Sequence, residues 1–250
     1  MSEQKVAVVT GGTSGIGRAT ALALKDAGCT VYELSRRAEG VEGLHHISAD
    51  VTDESAVNAA VAQVIAAEGQ IDILVNNAGF GISGAIEFTS TTDARSLFDV
   101  NFFGMVNMNR AVVPLMRAAG HGRIVNLSSV AAPVPIPFQA YYSATKAAVN
   151  AYTMALANEL RPFGVTVCAL SEGDDIYQGR ISRSVVRMEH DEQTGMDPAK
   201  AGAYIAKVAL RSGSNHPLYA IRFDYKFFAF LAKVLPARFL NWLIYLLYGK

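Results

Sequence analysis

The sequence predicts an α/β fold: a doubly wound parallel sheet of six to seven strands with helices on both faces. Three observations carry this reading. Short β-branched runs alternate with longer Ala-rich stretches of helical period. A glycine-rich turn joins the first of those runs to a helix. A length of 250 residues, 51% of them apolar and 18% charged, supplies enough apolar side chains for one large core.

The elements follow in order. Residues 6–10 form the first strand, and the glycine turn leads into a helix over 16–27 that Gly28 closes. Strands are expected over 30–35 and 44–48. Thr52-Asp53 then gives a capping start to a helix over 54–68. The fourth strand spans 71–76, a long helix 93–119, the fifth strand 123–128, a second long helix 142–160 and the sixth strand 165–170. A short seventh strand over 218–221 completes the sheet. Residues 172–200 are polar and rich in turn formers, as in a lid or loop with some helix. With no linker, repeat or low-complexity stretch, residues 1–250 read as one domain ending in a tail over 221–250.

Composition excludes several function classes. Lys+Arg and Asp+Glu number 22 each, so no general field attracts a polyanion, and a sequence-independent nucleic-acid binder is disfavoured. Cys29 and Cys168 sit at the edges of apolar segments, and no Cys/His cluster has metal-ligand spacing. A disulfide-free, metal-free cytoplasmic protein is expected. Residues 1–5 are polar and lead straight into a strand, which is not a signal peptide. No uncharged apolar run reaches the roughly 18 residues needed to span a bilayer.

The turn reads Gly11-Gly12-Thr13-Ser14-Gly15-Ile16-Gly17. Glycines let the backbone approach a pyrophosphate closely, and the N–H groups and dipole of the helix start favour its charge. Gly11, Gly15 and Gly17 are spaced by three residues and then one, unlike the common G-x-G-x-x-G form; such a turn also serves as a simple tight connection. At the tip of the second strand, where an acid or a cation selects between ribose diol and 2′-phosphate, the chain carries Ser35, Arg36 and Arg37. Permanently charged bidentate donors suit a phosphate better than a diol. Two solvated arginines would look the same, and Glu33, of the same strand parity as Ser35, keeps NAD in competition.

Tyr142-Ser143-Ala144-Thr145-Lys146 places a phenol and an ammonium four residues apart on one helix face. A cation beside a phenol favours the phenolate, which makes a usable acid or base. Tyr141 is a neighbour, but only Tyr142 has Lys four residues on. Ser129 lies at the tip of the fifth strand, where such sheets bind ligands.

Together with Asn76-Asn77-Ala78-Gly79 and Asn101, these motifs resemble the short-chain dehydrogenase/reductase family over roughly residues 5–170. The resemblance implies a Rossmann-like fold and a nicotinamide cofactor. It implies that Tyr142 is the acid/base, that Ser129 hydrogen-bonds the substrate oxygen, that Lys146 binds the nicotinamide ribose and tunes Tyr142, and that Asn101 anchors a proton-relaying water. Asp50 and Val51 would line the adenine, and Asn77, Ala78 and Gly79 the segment behind the ribose. The glycine turn with Thr13, Ser14 and Ile16 would hold the phosphates. Ser35 with Arg36 resembles the NADP-preferring variant. After the sixth strand, members usually carry Pro-Gly and a nearby threonine; here Glu172 precedes Gly173 and no threonine follows nearby. Gly173 remains the expected cofactor contact there. Family members form dimers and tetramers through their long helices, so a homodimer or homotetramer is expected.

The tail carries five cations against Asp224 and nine of the chain's 23 aromatic residues. Two short helices over 226–235 and 237–248, split by Pro236, fit its pattern. They are expected to cover the substrate cleft and bury themselves in a subunit interface rather than to lie on a membrane. The expected activity is NADP(H)-dependent hydride transfer to or from a hydrophobic, steroid-like or lipid-like ketone or secondary alcohol. A 3-oxoacyl thioester (acyl-carrier-protein) reductase is the alternative, and a non-catalytic dinucleotide-binding sensor a remoter one.

Overall fold

The computed structural model describes residues 4–172, 197–211, 218–220, 230–236, 239, 240 and 242. Seven parallel strands form one sheet: β1 (Val6–Thr10), β2 (Thr30–Ser35), β3 (His45–Ser48), β4 (Ile73–Asn76), β5 (Gly122–Ser129), β6 (Val165–Glu172) and β7 (Leu218–Ala220). Their order is β3-β2-β1-β4-β5-β6-β7, so the winding reverses between β1 and β4. In such sheets ligands bind at this reversal, beyond the carboxyl ends of the strands. The helices are α1 (Gly15–Asp26), α2 (Glu54–Glu68), α3 (Thr91–Phe98), α4 (Met105–Ala119), α5 (Ala140–Leu160) and α6 (Pro198–Leu210).

Strand alternation divides the core into two layers. Val6, Val8 and Leu34 pack with α2, α4 and α5 through Val57, Val61, Met108, Val112 and Leu156. Ala7, Val9 and Val31 face the other way, onto Leu24 of α1 and Ile205 of α6. Both faces of the sheet are therefore covered, which explains why β1 reads as a continuous apolar run. Cys29 and Cys168 are reduced and buried in the second layer.

Local chemistry sets the element ends. Asp53 caps α2 by accepting from the N–H groups of Ser55 and Ala56 at 2.8 and 3.1 Å, and Gly69 closes that helix with φ +76°. The long helix expected over 93–119 is interrupted: α3 ends at Phe98, Asp99–Gly104 is a π-helical segment, and α4 resumes at Met105. Apolar periodicity runs through the break unchanged, so it carries no mark of the widened turn. In the tail, residues 230–234 are helical, as are 239, 240 and 242, beyond Pro236. Leu231, Ala232, Leu235 and Leu240 pack on Val134 in the β5–α5 connection. Most of the 172–200 loop, Gly173 included, and the rest of the tail lie outside the described residues. Among the described residues no helix is long and apolar enough to cross a membrane, and no group of His, Cys, Asp and Glu could hold a metal ion.

Candidate functional site

The glycine turn sits at the β1 tip, beside the point where the sheet reverses. Gly11 adopts φ +65°, and a Cβ on Gly17 would lie 2.3 Å from both Asn77 Nδ2 and the Gly11 carbonyl oxygen. Only glycine permits this approach. Asn77 clamps the turn: its Nδ2 donates to the carbonyls of Thr10 and Gly11 at 2.9 and 3.2 Å. Thr10 Oγ1 in return accepts from the N–H groups of Asn77 and Ala78, each at 3.0 Å. Asn77 thus acts on the turn through its side chain, a role that its position after β4 does not announce in the sequence.

From the turn a cleft of about 600 Å³ runs along the strand tips. Gly11, Thr13, Ser35, Arg36, Arg37, Asp50, Val51, Ala78 and Gly79, all expected cofactor contacts, lie along it together with Phe80 and Val100. Arg36 is largely exposed, with Nη1 4.0 Å from Asp50 Oδ2. Asp50 Oδ1 is held by the backbone N–H and hydroxyl of Thr52 at 2.9 and 2.8 Å. Ser14, Gly15, Ile16 and Gly17 stand at the start of α1, with Ser14 the N-cap residue. A diphosphate flanked by an adenosine fits this set: close-approach glycines, a helix start, and cations at the far end. Glu33 is not in the cleft. It is fully buried beneath the turn, against His46.

The second half of the site is built by β5, α5 and the π-helical segment. Ser129 is fully buried at the β5 tip, and its Oγ accepts from the Ala131 N–H at 3.1 Å, leaving its own proton to donate. Lys146 Nζ donates to the Leu127 carbonyl at 2.9 Å and stands 5.6 Å from the centroid of the Tyr142 ring. Tyr142 packs with Leu97 and Ala131, and Phe80, Ile82, Ile136 and Tyr141 pack against the same cluster. Phe138, just before α5, holds a left-handed φ of +64°, and its carbonyl accepts from the Gly84 N–H at 2.8 Å, joining the β5–α5 connection to the segment after β4.

Asn101 lies in the π-helical turn with its side chain buried. Its Oδ1 accepts from the Phe80 N–H at 2.9 Å, and its Nδ2 donates to the Phe80 carbonyl at 2.8 Å and to Thr145 Oγ1 at 3.4 Å. The amide therefore ties the segment after β4 to α5. A polar network behind the site was invisible in the sequence. Asn76 Nδ2 donates to Asn109 Oδ1 and Asn126 Oδ1 at 3.0 and 2.8 Å, and Asn126 Nδ2 donates to Thr153 Oγ1 at 2.9 Å. Register places Asn76 opposite Asn126, and the chain of bonds locks β4, α4, β5 and α5 together.

A doubly wound sheet with a glycine cradle at its reversal and a Tyr-Lys pair on the adjoining helix defines a nicotinamide-dinucleotide oxidoreductase acting at the carbonyl/alcohol level. The short chain dehydrogenase family model matches residues 5–174. The chain belongs to the short-chain dehydrogenase/reductase family. It is 37% identical over 228 residues to a 3-ketodihydrosphingosine reductase of Bacteroides thetaiotaomicron, covering 84% of this chain and 85% of that one. Among solved structures it resembles a short-chain dehydrogenase from Streptomyces avermitilis, with TM-score 0.86, 33% identity and 97% of both chains covered. It also resembles a metagenomic short-chain oxidoreductase in complex with NADP, with TM-score 0.74, 28% identity, and 87% of this chain and 96% of that one covered.

Proposed function

We propose that the chain is an NADP(H)-preferring oxidoreductase of a lipid-like ketone or secondary alcohol. The observation that carries this reading is the setting of Tyr142: a phenol beside the Lys146 ammonium, within a cluster of Leu97, Ala131, Phe80, Ile82, Ile136 and Tyr141. An apolar wall around the proton donor favours an apolar substrate body. The tail residues packed on Val134 extend apolar surface along the same β5–α5 connection. The relation to a 3-ketodihydrosphingosine reductase agrees with a long-chain substrate.

The nicotinamide, when bound, supplies or accepts the hydride. In the reducing direction Ser129 donates a hydrogen bond to the substrate oxygen, and Tyr142 gives that oxygen its proton. Lys146 favours the deprotonated phenol by its charge and holds the cofactor ribose. Asn101 fixes the Gly79–Phe80 backbone against α5 through its amide and would anchor the proton-relaying water. Ser35, Arg36 and Arg37 take the 2′-phosphate. The 3-oxoacyl thioester alternative needs the same chemistry but a carrier-protein surface. Two reduced, buried cysteines suit a cytoplasmic setting.

The test is a panel of ketones followed at the NADPH absorbance: a long-chain keto lipid, a steroid ketone, a 3-oxoacyl thioester and a short water-soluble ketone. The highest kcat/KM is expected for the long-chain or steroid ketone. A preference for the thioester or the short ketone overturns the substrate assignment.

A further inference from the structure

Beneath the glycine turn lies a pair of ionisable side chains that the hydride-transfer chemistry does not use. Glu33 on β2 is directly opposite His46 on β3 in the parallel register, and Glu33 Oε1 is bonded to His46 Nδ1. The other ring nitrogen, Nε2, is 3.0 Å from the carbonyl oxygen of Arg37. Two glycines cover the carboxyl. A Cβ on Gly12 would lie 2.6 Å from Glu33 Cβ and 3.4 Å from Oε2, and one on Gly40 would lie 3.2 Å from Oε1. Glu33 is 0% exposed, and its buried Oε2 has no hydrogen-bond partner among the described residues.

The partners fix the proton inventory. A backbone carbonyl only accepts, so Nε2 carries a hydrogen. The Nδ1–Oε1 contact then holds one further proton, on either atom, and in both cases the pair has zero net charge. With a neutral hydrogen-bond donor in place of the histidine, a carboxylate held there would carry its charge between the phosphate cradle and the arginine loop. Buried away from water, it would act on anions at both with little screening.

We propose that His46 is a cofactor-specificity determinant. It neutralises Glu33 and ties down the Arg37 backbone, so that Glu33 adds no second carboxylate charge to that of Asp50 beside the Ser35-Arg36-Arg37 loop and a ribose 2′-phosphate. The inference rests on the NADP(H) reading above. The pyrophosphate is common to NADPH and NADH, so the ratio of their affinities reads the charge near the 2′ position alone.

The test is direct binding of NADPH and NADH, measured by cofactor fluorescence, on wild type, His46→Asn and the double variant Glu33→Gln/His46→Asn. Asparagine keeps a donor for Glu33 but cannot supply the neutralising proton. The NADPH-over-NADH affinity ratio should fall about tenfold in His46→Asn. It should recover in the double variant, where the buried pair is neutral again. An unchanged ratio in folded His46→Asn overturns the proposal, and so does a fall that Glu33→Gln fails to rescue, since that marks a merely structural role. Should His46→Asn not fold, Glu33→Gln alone decides: it must bind NADPH as tightly as wild type, and a tenfold loss overturns the proposal. A wild type that binds both cofactors equally sinks the NADP(H) reading itself, whereas a wild-type preference that survives in His46→Asn sinks only the role of His46.

Discussion

Lys146 Nζ lies 5.6 Å from the Tyr142 ring centroid while donating to the Leu127 carbonyl at 2.9 Å. One turn of α5 and the main chain of β5 thus hold a largely buried cation against a phenol. This arrangement predicts the outcome of removing the hydroxyl. Tyr142→Phe should retain NADPH binding and lose turnover by about 10²-fold or more, the scale of acid-base contributions. Steady-state kinetics with a parallel binding titration check this, and near-normal turnover removes Tyr142 from the chemistry. Lys146→Met should lower activity and displace the pH–rate profile.

At the other end of the cleft Arg36 is largely exposed, and its one acidic neighbour among the described residues is Asp50, whose Oδ2 is 4.0 Å from Nη1 while Oδ1 is held by Thr52. So long and exposed an ion pair holds the Arg36 guanidinium weakly and leaves its other donors open to a phosphate. Arg36→Ala should erode the NADPH preference by about 1.5–3 kcal/mol, typical of a hydrogen bond to a charged group. The comparison is kcat/KM with each cofactor. Tenfold better efficiency with NADH in the unmodified enzyme would contradict the assignment.

Much of this architecture could be read from residue order. The β1, β2 and α2 boundaries match the expected ones, because β-branched runs, Asp53 and the glycine turn are local signals. The π-helical turn at Asn101 was not legible, since widening a helix by one residue leaves its composition unchanged. Nor was the fate of Glu33. Strand parity puts it on the face of Ser35, but only the β2–β3 register reveals His46 opposite and the glycines above. The Asn76, Asn109 and Asn126 network was likewise hidden, being assembled from residues that are distant in sequence.

Tyr32 gives a pH dependence outside the site. Its hydroxyl donates to Glu68 Oε1 at 2.8 Å, joining β2 to the end of α2. Burial first, and then the hydrogen bond and charge of Glu68, push its pKa up from 10.0 to about 12. The folded state therefore prefers the neutral phenol. The associated stability is fully present below pH 10 and is lost as pH rises from about 10 to about 12. Tyr32→Phe should flatten the fall of stability across that window in chemical denaturation. An alkaline limb identical to wild type would refute this.

The long helices bear on assembly. Of the apolar α5 residues, Leu156 is in the core, whereas Ala147, Ala151 and Ala155 are exposed and Met154 is 41% exposed. Phe103, in the π-helical turn, is 50% exposed. We expect a second copy of the chain to cover this surface in at least a dimer. Ala151→Glu would place a charge in the contact, and light scattering should report a smaller species than wild type at micromolar concentration. A wild type that is strictly monomeric there would count against the dimer.

The tail separates two fates for its apolar residues. Leu240 is 7% exposed and packs with Val134, Leu231 and Leu235, whereas Phe230, Phe239 and Trp242 are 58%, 49% and 53% exposed. Truncating a buried leucine removes its contacts and leaves a cavity, so Leu240→Ala should destabilise by about 2–5 kcal/mol. Because Val134 belongs to the connection leading to Tyr142, the same change should raise KM for an apolar ketone more than it lowers kcat. Trp242→Ser, on the open side, should leave the melting temperature nearly unchanged. If the tail's main role were membrane contact, the order would invert: Leu240→Ala would leave KM for a water-soluble ketone untouched, and Trp242→Ser would weaken co-sedimentation with anionic vesicles. Thermal melts, kinetics and vesicle sedimentation on these two variants decide between the alternatives, and packing on Val134 is the expected result.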